Sequence, residues 1–175
     1  MYKTQFTILL ASLCLFCQCS NGHQDSNDDF GSDYPSRETF SSIDTCMGYM
    51  DDDPLRAHQM IDTLASARLM TQTRRDYFHA MILFCGEKEF DGALDICNRL
   101  LDEGNFGDDR FLEEEICVLA SNITSSNKRH VETLRYANRG IAICHGNENM
   151  RDDEATLLAR IGVAQQNLGR IDEAR

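Results

Sequence analysis

The chain has 175 residues, enough for one ordinary domain. Its 29 acidic and 17 basic residues leave a net charge of −12, which removes the basic footprint that a nucleic-acid partner requires. The acids gather in short runs at Asp51–Asp53, Glu113–Glu115 and Asp152–Glu154; acids favour the first turn of a helix, so these runs are expected at helix starts and on solvated faces. None has the alternating oxygen-ligand spacing of a calcium loop.

The first residues differ from the rest. Lys3 precedes an apolar run from Phe6 to Phe16, and polar sequence follows from Ser20. The run is too short for a transmembrane helix, which takes roughly 20 residues, but it suits the apolar region of a secretory signal. Cys19, at the change to polar sequence, resembles the lipidated first residue of a mature bacterial lipoprotein. That resemblance implies a signal over 1–19, lipidation of Cys19, and export to the periplasm or outer membrane with the lipid as the only membrane attachment. Gln18 departs from the small residue usual there, and Cys14 and Cys17 crowd the site; plain secretion and a retained anchor are the alternatives. Residues 20–35, rich in Ser, Asn, Asp and Gly, are expected to form a flexible polar tether.

From residue 36 the apolar period is helical. Phe40, Ile43, Met47 and Met50 recur at three- and four-residue steps, as do Ala57, Ile61 and Leu64, then Tyr77, Met81 and Phe84, then Phe90, Ala93, Cys97 and Leu100. Leu112, Ile116, Leu119 and Ile123 follow, then Leu134, Ala137, Ile141 and Cys144, and finally Leu158, Ile161 and Gln165. Asp53-Pro54 reads as an N-cap with proline at the first helical position. Gly86, Gly104, Gly107, Gly146 and Gly169 mark breaks. Connections are short except between Ile123 and His130. The five cysteines beyond the signal, Cys46, Cys85, Cys97, Cys117 and Cys144, form no C-x-x-C motif and are expected to pack in the core. Cys85 and Cys97 are offset by about 9 Å along adjacent helices, too far for a disulfide.

The segment "YFHAMILFCGEKEFDGALDICNRLL" places Tyr77, Ala80 and Phe84 before a turn and Phe90, Ala93, Cys97 and Leu100 after it. It resembles the tetratricopeptide repeat, a helix–turn–helix of 34 residues. "LLARIGVAQQNLGRIDEA" repeats the scheme, with Gln165 where the family often has Tyr. A small residue recurs at Ala57, Ala93, Ala137 and Ala174, at intervals of 36, 44 and 37 residues. The long interval is expected to hold its extra residues in "ITSSNKRH". The resemblance implies an all-α fold: tandem helix–turn–helix units over 36–175 forming a right-handed solenoid, each unit burying its apolar stripe against its neighbours. Small residues let the paired backbones approach, and Gly140, inside a helix, reads as another close approach. Ala174 opens a second helix whose remainder is not in the chain, so the last repeat is expected to be incomplete, the chain being a fragment of a longer protein or a truncated gene product. An irregular helical bundle is the alternative fold.

The chain carries no enzyme signature. Its five histidines are scattered, and neither a phosphate loop nor a G-x-S-x-G elbow occurs. No catalytic residue, cofactor or metal is expected, and Asn122-Ile123-Thr124 is only a formal glycosylation sequon. By the resemblance, the chain is an exported protein–protein interaction module that takes a protein or peptide in the groove lined by the first helix of each repeat. The groove positions carried over are Phe78, Ile82, Ala159 and Val163. The family's carboxylate clamp needs Lys and Asn there, so Phe78 and Ile82 argue against a C-terminal carboxylate as ligand. Contact with a neighbouring helix, or with the missing part of the chain, is the competing role for all four. The alternative function is the extracytoplasmic sensor region of a signalling protein whose kinase or DNA-binding output lies beyond residue 175.

Overall fold

The computed structural model describes residues 32–169. The expected signal, Cys19, most of the expected tether and Ala174 lie outside the described residues. Within them the protein is all-helical, with no strand and seven α-helices: α1 Arg37–Met47, α2 Pro54–Ser66, α3 Gln72–Ile82, α4 Phe90–Glu103, α5 Leu112–Ser126, α6 His130–Cys144 and α7 Arg151–Asn167. Local chemistry places the starts. Ser36 caps α1 by accepting from the Thr39 amide, Asp53 caps α2 by accepting from Arg56 ahead of Pro54 at the first turn, and Thr71 caps α3 by accepting from Arg74. The end of α3 widens into a π-turn at Leu83–Glu87 and stops at Lys88, whose φ of 62° is left-handed. A side chain at Gly86 would run into the Met50 carbonyl, so glycine lets this turn close on the end of α1.

Each helix packs on the next in the chain, and α5 also touches α3 on one side and α7 on the other. One apolar cluster runs from α1 to α6, including Ile43, Ile61, Ile82, Leu100, Ile116 and Tyr136. A second, of Phe111, Ala137, Cys144, Met150 and Leu157, joins α7. Ala57, Ala93 and Ala137 have no exposed surface. Gly140 is a close approach as expected: a Cβ there would sit 2.7 Å from Leu157 Cδ1 and 3.2 Å from Cys117 Cβ.

Three boundaries differ from the sequence reading. Residues 32–35 belong to the folded body instead of the tether. Ser32 donates to Asp108 at 2.9 Å, the Asp108 amide donates to Asp33 at 3.0 Å, and the Tyr34 ring lies 5.0 Å from Phe40 and 5.9 Å from Phe111. The stretch after Ile123 is not a long connection either. α5 continues to Ser126, and the buried Thr124 hydroxyl is satisfied within the helix by donating to the Ala120 carbonyl at 2.8 Å. The extra length of the 44-residue interval therefore lies in the loop between α4 and α5 and in a longer α5. In α7 the buried stripe is Leu157 and Ala164, with Ile161 half-buried, while Leu158 is 54 % exposed. The close approach at Gly140 receives Leu157, which turns its neighbour Leu158 outward.

Candidate functional site

The structure corrects the groove assignment for α3. Phe78 is 3 % exposed and Ile82 0 %, so both are core and line no open surface. The cause is position: α3 lies between α2, α4 and α5, which also bury Tyr77, Ala80 and Met81 of the same helix. Ala159 and Val163 do face solvent. Four residues apart, they share one face of α7, and Val163 is 43 % exposed; Leu158, 54 % exposed, lies at the edge of that face.

The acid runs are also not all solvated. Arg74 is buried, and its Nε and Nη2 donate to Asp109 Oδ2 at 2.8 and 2.6 Å while Nη1 donates to Glu115. The rings of Tyr34 and Tyr77 lie 5.2 and 5.5 Å from the guanidinium carbon. This cluster ties α3 to α5 and to the loop before it. Glu114 is fully buried, and the weakly polar Cys144 thiol is the hydrogen-bonding group against its carboxyl. Burial, with the charges of Asp153 and Glu115, pushes its pKa up to about 9. Asp153 is raised to about 6 by burial and by Glu115. Glu113 of that run lies toward the surface, where Arg139 pairs with it at 2.8 Å, and Glu115 is half-buried.

Cys46, Cys85, Cys97, Cys117 and Cys144 are free and buried. Burial raises the Cys85 thiol to about 11 and those of Cys97, Cys117 and Cys144 to about 12, so they are thiols and poor nucleophiles at neutral pH. Asn122 is 7 % exposed and accepts from Arg160 Nε at 2.7 Å, which closes the sequon to modification in the folded chain.

The polar cluster with the most chemical capacity joins α2 to α3. His58 and His79 meet there, Nδ1 to Nδ1, in hydrogen-bond contact, with ring centroids 4.7 Å apart and planes 23° from parallel. A ring nitrogen lies only one ring radius from its centroid. So close a contact across that separation puts both nitrogens on the line between the centroids, and the rings meet edge to edge. Behind each ring stands a carboxylate: Asp62 is 2.9 Å from His79 Nε2, and Glu87 is 3.4 Å from His58 Nε2. Arg75 Nε donates to the same Asp62 oxygen at 2.7 Å. The imidazoles are mostly buried, 19 % exposed at His58 and 14 % at His79, beside an open hollow lined by Asp62, Ala65, Ser66, Gln72 and Arg75. Burial, then the neighbouring His79, lowers the pKa of His58. Among the described residues no three His, Cys, Asp or Glu side chains group around one point as metal ligands.

This pair was not recognised in the sequence, although a signal existed. His58 and His79 are 21 residues apart and Asp62 and Arg75 are 13 apart, and both pairs centre on the turn at Arg68–Leu69, where Arg68 has a φ of 59°. An antiparallel hairpin sets such pairs level with each other. No family model, curated protein or solved structure matches the chain.

Proposed function

We propose that the chain is a protein–protein interaction module of tetratricopeptide type, a right-handed solenoid exported from the cell and held at the membrane by lipid on Cys19. The observation that carries the reading is the order of packing. Successive helices pair, and α3, α5 and α7 form a connected row through α5, as the first helices of stacked repeats do. The small residues at Ala57, Ala93 and Ala137 fall on the intervening helices α2, α4 and α6, all without exposed surface.

The binding face is then narrower than the resemblance implied. Phe78 and Ile82 are committed to the core; of the exposed apolar residues, the α7 strip of Ala159 and Val163, with Leu158 at its edge, lies on a first helix and is the surface assigned to a protein or peptide partner, whereas Leu55, Leu69 and Val131 lie elsewhere. Exposed apolar residues that are contiguous have a use in binding that scattered ones lack. The acidic chain favours basic residues at the rim of the partner, with an association rate that falls as salt rises. The test is a pull-down from host membranes with wild type and with Val163→Asp, after circular dichroism has established equal helicity. Loss of captured protein in the variant is expected; an unchanged set of partners rules out the α7 strip as the binding face.

A further inference from the structure

Each imidazole of the His58–His79 pair has its Nε2 against a carboxylate and its Nδ1 against the other ring. Arg75 Nε lies 2.7 Å from Asp62 Oδ1 and 3.2 Å from His79 Nε2, so its single proton goes to the carboxylate. His79 Nε2–H then donates to the same Asp62 oxygen, and Glu87 draws the proton of His58 to its own Nε2 side. In that tautomer both Nδ1 atoms turn bare lone pairs toward each other, and either a proton, which makes the contact a hydrogen bond, or a metal ion between them holds the pair together. A carboxylate behind a histidine, fixing the proton on the far nitrogen, is the outer shell that orients an imidazole toward a metal ion.

We propose that His58 and His79 form a two-imidazole binding site for a divalent transition-metal ion such as Zn²⁺, ligated through both Nδ1 atoms, with Asp62 and Glu87 as outer-shell acceptors and water in the remaining positions. Imidazole pairs suit zinc, copper and nickel and not magnesium or calcium, which take oxygen ligands. A tetrahedral ion with bonds of about 2.05 Å holds two nitrogens roughly 3.3 Å apart, so the rings must part by side-chain rotation. The partial exposure of both side chains provides room for that and for water. Asp62 and Glu87 against Arg75 leave the cluster one negative charge in excess, which favours a cation. The site spans α2 and α3, so an ion there crosslinks the two helices. This inference does not depend on the proposed partner binding.

The experiment titrates the reduced full-length protein with Co²⁺, a spectroscopic substitute for Zn²⁺, followed by its visible d–d absorption. The expected result is one bound Co²⁺ with a nitrogen- and oxygen-ligated spectrum, displaced by Zn²⁺, that vanishes in both His58→Gln and His79→Gln. Asp62→Asn should weaken it by about 10- to 100-fold, the usual effect of removing an outer-shell acceptor. Sulfur-to-cobalt charge-transfer bands report any separate binding by thiols. The site is refuted if wild type shows no nitrogen- and oxygen-ligated component, or if that component persists in either histidine variant. Circular dichroism of the variants separates loss of ligand from loss of fold.

Discussion

Glu114→Gln should remove a pH dependence that the buried carboxyl imposes on stability. In the folded protein the group keeps its proton up to about pH 9, whereas in an unfolded chain it loses it near 4.5. Between those values the folded state binds one proton more than the unfolded state, so stability falls as pH rises, by about 1.4 kcal/mol per unit. A window from pH 7 to 8.5 lies above Asp153, which is raised only to about 6, and above His58, whose pKa is lowered. Across it the Glu114 contribution is about 2 kcal/mol. Buried thiols raised from 9 add a smaller fall at the alkaline end, and this is common to both proteins. Urea unfolding followed by circular dichroism, in reductant, at steps across the window gives the difference directly. Gln is neutral at every pH and matches the shape of the protonated acid, so the gap between variant and wild type should widen toward pH 8.5 in favour of Gln. Two profiles that run parallel would show that Glu114 ionises at its ordinary pKa and is not buried as described.

Gly140→Val should cost about 1–3 kcal/mol by overpacking against Leu157 and Cys117, despite the better helix propensity of valine; a rise in thermal midpoint would overturn the close approach of α5, α6 and α7. Arg74→Met leaves Asp109 buried without its cation and should cost about 3–5 kcal/mol, with much of the loss recovered in the Arg74→Met, Asp109→Leu double variant. A double-mutant cycle by urea unfolding checks this, and additive losses would remove the coupling. For the proposed anchor, labelled palmitate should enter the protein in its host and be lost in Cys19→Ala; since one acyl chain binds membranes only marginally, more than one chain is expected on the modified residue. Label retained in that variant would place the lipid elsewhere.

The sequence by itself determined the all-helical class and most helix limits. Period, caps and breakers act over one or two turns of helix, and Asp53-Pro54, Gly104 and the recurring alanines are all local signals. It also set Cys85 and Cys97 too far apart to pair, because spacing across a short hairpin fixes their offset; that all five described cysteines are free is read from the structure. Which face of a helix is buried depends on how many neighbours that helix has, and only the tertiary structure decided this. Phe78 and Ile82 fall in the core because α3 is enclosed on three sides, whereas Val163 has the same helical spacing from Ala159 and stays exposed on α7. Glu114 and Glu115 looked like a solvated helix start until the loop carrying Asp109 and the Arg74 side chain closed over that turn. The His58–His79 contact lay between the two cases. Hairpin symmetry about Arg68–Leu69 made the residues level with each other, but the rotation of each helix about its own axis brought Nδ1 to Nδ1 and a carboxylate behind each ring. That rotation is set by apolar packing summed along the whole length of both helices, which no short stretch of sequence carries.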